Sequence, residues 1–173
     1  MKKVQGNGLP TECVNPKFQK WIVRWDIQPY YRTDEETGEK EQQGFDYCEK
    51  WITHKPSLEE VKEIVLSGMN AIVDQKILSG FVWKDMSVWL SSENQFNYKA
   101  AYDLAVMSQG KSLPTVFKFG TTDNPVYYAF ESLEDISDFY ISAMAYINTC
   151  LAEGWKLKDS IDWSVYEEAL KDD

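Results

Sequence analysis

The sequence holds little of the chemistry on which most active sites depend. It contains one histidine and three cysteines in 173 residues. His54 lies in a stretch interpreted as a loop. With this single histidine, neither a histidine-based triad nor a multi-histidine metal site is expected. Cys13, Cys48 and Cys150 are widely separated and lack CxxC spacing, which argues against a zinc site and a disulfide framework. No cofactor and no metal ion are therefore expected.

Sequence motifs that mark catalytic loops are absent as well. The chain contains no GxGxxG, GxxxxGK[ST], HExxH or GxSxG pattern. Glu134 and Asp138 share one helix face at i,i+4, but 28 acidic residues produce such pairs by chance. The sequence therefore predicts a protein that is not an enzyme. A carboxylate-dependent glycan hydrolase is the weaker alternative, and it would need two carboxylates about 5–10 Å apart in an aromatic-walled cleft.

Basic residues and long apolar runs are also scarce. The chain has 18 Lys and Arg against 28 Asp and Glu, which gives a formal net charge of −10. Nucleic acid is not expected as a partner, because phosphate binding depends on clustered Lys and Arg. The opening MKKVQGNGLP lacks the apolar segment of a signal peptide, and no run approaches membrane-spanning length. These features predict a soluble protein made in a cytoplasm, with no membrane partner.

Aromatic residues, by contrast, are abundant, with seven Trp, ten Tyr and eight Phe. This content and the chain length predict one folded domain with a sizeable core. Residues 1–16 carry Gly and Pro among polar residues and are interpreted as a flexible N-terminal arm. Residues 17–54 are predicted to form a β-hairpin ribbon, and residues 55–173 an α+β hairpin-helix domain that packs with the ribbon into one unit.

The ribbon is predicted from residues that alternate between apolar and polar. Apolar residues occupy every second position from Trp21 to Ile27, the pattern of a half-buried strand, and Pro29 is expected to end its regular pairing. A second strand follows a charged connector. The candidate contact residues are large aromatic side chains that this hairpin would place on one face: Trp21, Trp25, Phe45, Tyr47 and Trp51. The stripe is compatible with a sugar-stacking platform or a protein docking patch, although cover by the chain's own helices is favoured.

The region after residue 55 is predicted to contain three main capped helices and two short hairpins. Ser57 and Glu60 form a capping box before a helix that reaches about Leu78. A hairpin from FVW and VWL precedes a second helix, capped by Ser92 with Gln95 and ending near Gly110. Its apolar stripe is expected to face the core and consists of Phe96, Ala100, Leu104 and Met107, widened by Ala101 and Tyr102.

A second hairpin-helix unit repeats this plan. The strands VFKF and VYYAF flank a TTDNP turn, and Ser132 opens a third helix with an apolar seam at three-four spacing. Gly154 is expected to end that helix, followed by a short KLKDSI segment and a last helical stretch from Ser164. Two units are too few for a solenoid, so the repeat is interpreted as architecture within one fold. The predicted class is α+β, with antiparallel β-hairpins packed with three main capped helices.

The segments FKFGTTDNPVYYAF and LAEGWKLKDSIDW resemble a C-terminal domain of unknown function found in tailed-phage and prophage tail-associated proteins. The likeness extends from Leu58 to Trp163, and it includes the first aromatic hairpin and the start of the following helix. Two departures from the pattern are Lys84-Asp85-Met86, where similar sequences often have Gly, and phenylalanines at positions 117 and 119, where they often have Trp. The matching motifs are turns, caps and packed aromatic residues, and they bring no catalytic residue with them.

The resemblance implies a phage or prophage origin and a structural or tail-assembly role through protein-protein contacts. The implied partners are phage tail or assembly proteins, and homo-oligomer formation is compatible with this role. The implied location is the bacterial host cytoplasm or the virion tail. A glycan-binding module is the alternative, and it would require Trp21, Trp25 and Trp51 to be exposed and coplanar.

Overall fold

The computed structural model describes residues 2–6, 12–14, 20–35 and 37–171. Within these ranges the chain forms eight strands and four helices, and the strand pairs are antiparallel. The predicted α+β class is confirmed. In chain order the elements are β1 (Lys2–Gly6), β2 (Cys13–Val14), β3 (Trp21–Thr33), β4 (Lys40–Ile52), α1 (Leu58–Ser79), β5 (Phe81–Trp83), β6 (Met86–Val88), α2 (Ser92–Met107), β7 (Thr115–Gly120), β8 (Pro125–Phe130), α3 (Leu133–Asp159) and α4 (Trp163–Lys171).

The chain divides into two compact units. Unit 1 consists of residues 1–71 and 157–173, and unit 2 consists of residues 72–156. The division lies inside α1 and α3 and not at the expected ribbon boundary after residue 54. None of the described helices is long and apolar enough to cross a bilayer.

Unit 1 contains a four-stranded sheet in the order β1-β4-β3-β2. The expectation of a loose arm over residues 1–16 is wrong for β1 and β2, which pair with β4 and β3; residues 1, 7–11 and 15–16 lie outside the described ranges. β1 has the polar sequence KKVQG, which shows no clear alternation. The local sequence does not predict a strand here. The strand conformation depends on tertiary structure, because the edge of β4 supplies the backbone hydrogen-bond partners.

The hairpin of β3 and β4 is longer than the sequence indicated. Pairing continues past Pro29, which lies opposite Phe45, as far as Thr33 opposite Lys40. The expected end at Pro29 is therefore wrong. Register shifts occur between Trp25 and Gln28 and between Tyr30 and Tyr31, and Asp26 adopts a positive φ of 52°. These irregularities are β-bulges, which bend a strand without ending the ladder.

α1 begins as the capping box predicted, and the Ser57 hydroxyl accepts the Glu60 amide N–H at 3.2 Å. Its buried side chains in unit 1 follow the expected three-four spacing: Val61, Ile64, Val65 and Met69. Gly68 lies on the same helix, and a Cβ placed there would be 2.3 Å from a ring carbon of Trp25. The indole therefore packs directly on the α1 backbone, which explains a glycine in the middle of a helix where alanine would otherwise be favoured by about 1 kcal/mol.

Unit 2 contains the two predicted hairpin-helix repeats. β5 and β6 form the first hairpin, and β7 and β8 form the second. The helix after the first hairpin is capped one residue earlier than expected, because the Ser91 side chain, not Ser92, accepts the Asn94 amide N–H. The third helix begins as predicted, with the Ser132 hydroxyl accepting the Asp135 amide N–H.

Aromatic rings from both repeats build the core of unit 2. Phe139 of α3 is 1% exposed and lies at its centre. Its ring centroid is 5.0–5.2 Å from four others, and a fifth, Phe81, is 6.4 Å away; the nearer four belong to Trp83, Tyr98, Phe119 and Phe130. Tilted and edge-to-face pairs predominate, the geometries that the aromatic quadrupole favours. The repeated hairpin-helix plan in the sequence therefore supplies two sets of aromatic rings, which pack together in one core.

The C-terminal part departs from the sequence-based boundaries. α3 continues to Asp159, so Gly154 is not a helix terminus and KLKDSI is not a separate segment. Gly154 is buried, and a Cβ there would be 2.5 Å from a Val73 methyl group. The glycine is needed for close packing and not for a left-handed cap. α4 starts behind Asp162, whose carboxylate accepts the Ser164 amide N–H and hydroxyl.

Candidate functional site

The five candidate aromatic residues of the ribbon lie on two faces of the sheet. Residues directly opposite each other in an antiparallel pair project to the same side. Trp25 lies opposite Cys48, whereas Trp51 lies opposite Ile22. Trp21 and Trp25 therefore share one face, and Phe45, Tyr47 and Trp51 share the other. The prediction of a single aromatic stripe is wrong, because the parity within each strand was correct but the register between the strands was not readable.

Burial separates these residues further. Trp21 and Trp25 are each 4% exposed, and Tyr47 is also buried. Phe45 is half-buried, and Trp51 is 54% exposed. Trp51 is thus the one member of the set that offers most of its ring to solvent, and the three-tryptophan platform required by the glycan-binding alternative is not formed.

Two of the five residues nevertheless line one cleft in unit 1. The cleft has a volume of about 780 Å³ and combines Trp25 and Trp51 with polar side chains of β4 and α1. Its polar lining residues are Glu49, Lys50, Glu60, Glu63 and Ser67. Trp21, Phe45 and Tyr47 do not line it.

Hydrogen bonds hold the wall of this cleft in place. The Trp51 indole N–H donates to a Glu49 carboxylate oxygen at 2.9 Å, and the other Glu49 oxygen lies 3.4 Å from Nε of Arg24. On α1, a Glu60 carboxylate oxygen lies 2.9 Å from Nε2 of His54. The Trp51 ring is therefore fixed in orientation by the Glu49 carboxylate. An oriented exposed ring and hydrogen-bond acceptors suit a ligand with a flat apolar face and hydroxyl groups.

A polar network in unit 2 connects the first hairpin to α3. Lys84 Nζ lies 2.5 Å from Asp135 Oδ1 and 2.9 Å from the Tyr128 hydroxyl, and that hydroxyl donates to Asp135 Oδ2 at 2.8 Å. The Trp83 indole N–H donates to Asp138 at 2.9 Å. The bonds to Asp135 and then Tyr128 raise the pKa of Lys84. Lys84 therefore stays an ammonium ion, which favours an ion-pair role over an amine nucleophile.

The cysteines and metal-binding side chains add no further chemistry to these surfaces. Cys13, Cys48 and Cys150 are buried thiols, and burial raises the pKa of Cys13 to about 11. A thiol with a raised pKa carries little of the thiolate that reacts. Across the described ranges, no three His, Cys, Asp or Glu side chains are grouped to hold a metal ion.

The burial of the apolar stripe on α2 was predicted wrongly from the sequence. Its apolar stripe was expected in the core, but Phe96 is 72%, Leu104 56% and Met107 82% exposed, and Ala100 is exposed beside them. These four residues are called the α2 apolar face below. The opposite side of the helix enters the core through Tyr98 and Ala105, and Tyr98 packs edge-on against Phe117 and Phe139.

The stripe itself was visible in the sequence, but its direction was not. Residues 98, 101, 102 and 105 also form a continuous helix face, and they include two tyrosines that can bury their rings. Tyr98 inserts among phenylalanines of the second repeat, and the Tyr102 ring stacks on Tyr140 of α3 at 4.6 Å. Because these partners are about 20–40 positions away in the sequence, the choice between the two faces depends on tertiary packing.

Comparison with known proteins identifies one family. Residues 60–173 match a family described as "Domain of unknown function (DUF4376)". The match therefore includes α2, both hairpins and α3, and it omits the ribbon. No curated protein and no solved structure matches the chain.

Proposed function

We propose a function from the sequence resemblance and the exposed surface of this chain, which belongs to the DUF4376 family, a domain of unknown function. The protein is a non-enzymatic structural or assembly protein of a tailed phage or prophage, and it acts through protein-protein contacts. The phage assignment derives from the sequence resemblance of residues 58–163. The contact surface is the α2 apolar face.

The exposure of this face carries the proposal. Three large apolar side chains and one alanine follow each other along α2 over about 16 Å, at a rise of 1.5 Å per residue. Burying a Leu, Phe or Met side chain contributes about 1.5–3 kcal/mol, so a partner that covers the face gains several such contributions. Single exposed apolar residues are ordinary on a protein surface, whereas a contiguous set marks an interaction site.

The test is affinity capture of the tagged full chain from phage-producing bacterial cells. We expect tail or tail-assembly proteins to co-purify with the native chain and to be lost with Leu104→Glu, which places a charge inside the apolar face. Leu157→Glu is the matched control, because Leu157 is a similarly exposed leucine on another helix. Mass spectrometry of the captured proteins is the measurement.

Two results would count against this function. Capture of the same proteins by Leu104→Glu would remove the α2 apolar face from the contact. A native chain that captures no tail or assembly protein would contradict the assembly role itself.

Saccharide binding in the Trp51 cleft is a second candidate. The specific observation is the half-exposed Trp51 ring, held by Glu49, in a cleft that Glu60 and Glu63 of α1 also line. Sugars bind such sites through their apolar ring face on the indole and through hydroxyl donors to carboxylates. Trp25 also lines the cleft, although its indole N–H is buried against α1 and is not open to a ligand.

Calorimetric titration with oligosaccharides from the host cell surface tests this candidate. We expect Trp51→Ala to reduce affinity at least about tenfold, since stacking and an oriented carboxylate are lost together. Trp89→Ala is the control, because Trp89 is exposed to the same degree but lies in unit 2. Equal binding by Trp51→Ala and the native chain would exclude the cleft.

A further inference from the structure

We propose that the partner of the α2 apolar face is a second copy of this chain, with the two α2 helices packed antiparallel about a two-fold axis. The inference rests on the proposed function, because it makes pairing of the α2 apolar face the protein-protein contact that forms the assembly unit, and tail proteins then bind the dimer and not the free face. A two-fold interface is isologous, so each residue position must complement the position that the symmetry sets against it. The four residues of the α2 apolar face come within one residue of this condition.

The spacing of the face is close to symmetric about its middle. Phe96, Ala100, Leu104 and Met107 are separated by four, four and three residues. The antiparallel register that sets Ala100 opposite Leu104 of the partner subunit brings Phe96 to within one residue, about 1.5 Å along the helix, of the position opposite Met107 of the partner subunit. Large side chains thus meet at both ends, and the small Ala100 lies near the axis, where helices approach to about 8–10 Å.

The charges at the ends of the face favour the same arrangement. Glu93 lies in the first turn of α2, and Lys111 lies just beyond its C-terminal end. Both side chains are exposed, and neither forms an ion pair with another described residue. The antiparallel register brings Glu93 of each copy to Lys111 of the partner subunit. A parallel pair would instead set Glu93 against Glu93, which is repulsive.

The balance of charge also distinguishes a second copy from a basic partner. The whole chain has a net charge of −10. If this chain bound a basic protein by electrostatic attraction, the contact surface would be expected to be strongly acidic. Around the α2 apolar face the charges instead alternate in sign, because Lys99 and Asp103 form an ion pair at 2.6 Å and the ends carry Glu93 and Lys111. A surface with both signs in this order is complementary to itself in the antiparallel direction.

Sedimentation equilibrium of the full chain tests the association. We expect a concentration-dependent species with twice the monomer mass of 20.1 kDa. Leu104→Glu should weaken the dimer at least about tenfold, since it buries an unpaired carboxylate near the axis, whereas Leu157→Glu should leave it unchanged. A native chain that stays monomeric at the highest soluble concentration, or a dimer insensitive to Leu104→Glu, would overturn the inference.

Charge reversal tests the register. Glu93→Lys and Lys111→Glu should each weaken the dimer, because each sets like charges opposite one another. The double variant Glu93→Lys with Lys111→Glu should restore it at an unchanged net charge. Circular dichroism melts confirm that each variant is folded. Failure of the double variant to regain association over the single variants would overturn the antiparallel register.

Cysteine cross-linking gives an independent readout. The native cysteines are buried, so cysteines introduced at the exposed positions 96 and 107 react separately from them. The combined Phe96→Cys and Met107→Cys variant should form a disulfide-linked dimer at much higher yield than either single variant. Equal yields for the single and combined variants would contradict the register.

The outcomes separate this inference from the proposed function. A chain that stays monomeric but captures tail proteins through Leu104 overturns the second copy and leaves the assembly role in place. A dimer that is weakened by Leu104→Glu but captures no tail protein supports a second copy on the α2 apolar face and contradicts the assembly role.

Discussion

Replacing Phe139 with alanine should lower the free energy of unfolding by about 3–5 kcal/mol, the usual cost of deleting a buried phenylalanine ring. Phe139 is almost fully buried, and its ring contacts aromatic side chains from both hairpins and from α2. Because these rings belong to different elements, they cannot all move in to fill the space. The alanine variant therefore keeps a cavity and loses several ring-ring contacts at once.

Phe96→Ala provides the matched control for this measurement. It removes the same ring from another helix of unit 2, but at a position open to solvent. Its stability should change by no more than about 0.5 kcal/mol when the chain is monomeric. Urea denaturation at low protein concentration, followed by circular dichroism, gives both values. Equal losses for the two variants would show that Phe139 is not at the centre of the core.

The contrast between these two phenylalanines shows where the sequence was informative. Helix starts were readable because they depend on local chemistry: Ser57 and Ser132 cap α1 and α3 as predicted. The second hairpin turn and the seam of α3 were readable for the same reason, whereas the first hairpin pairs FVW with Met86–Val88 and not with VWL as predicted. The burial of Ile136, Ala143 and Cys150 confirms that seam. Elements of this kind are specified by residues within a few positions of one another.

The errors concern features that depend on distant residues. The α2 apolar face was assigned to the core, because a pattern of period 3.6 gives the position of a stripe but not the element that faces it. Gly154 was assigned to a helix end, although its role is contact with Val73, about 80 positions earlier. In both cases the local signal was correct and the tertiary neighbour decided its meaning.

The candidate site shows the same limit. Alternation within β3 and within β4 was recognised, but the faces of the two strands could be combined only with the register, which sets Trp21 opposite Ile52 and Trp51 opposite Ile22. A one-residue change of register moves a side chain to the other face. The cleft at Trp51 was therefore not predictable, although Trp25 and Trp51 were both named as candidates.

Deleting residues 1–54 should abolish the cooperative unfolding of what remains of unit 1. The deletion removes Trp21 and Trp25, which are buried in unit 1, and it uncovers the α1 side chains that share this core. Each large apolar side chain that loses its cover forfeits about 1.5–3 kcal/mol, and a domain has about 5–15 kcal/mol in total. The losses together approach the whole stability of unit 1, so the fragment 55–173 should lose the unfolding transition of unit 1 and be expressed as an aggregate or melt far below the full chain.

A smaller change in the same ribbon is the control. The tip residues 34, 35 and 37–39 are exposed, and Thr33 and Lys40 form the last strand pair before them. Replacing residues 34–39 by Asn-Gly closes the hairpin with a favoured two-residue turn, and it should leave the melting temperature close to that of the full chain. Differential scanning calorimetry of both variants decides the point. A fragment 55–173 that melts as cooperatively and as high as the full chain would contradict a core role for the ribbon tryptophans. Because Trp25 packs directly on Gly68 of α1, the expected result is loss of the fold in unit 1. That result would show that the ribbon is part of the core of unit 1. Trp51 would then be the one candidate contact residue of the ribbon that is largely exposed.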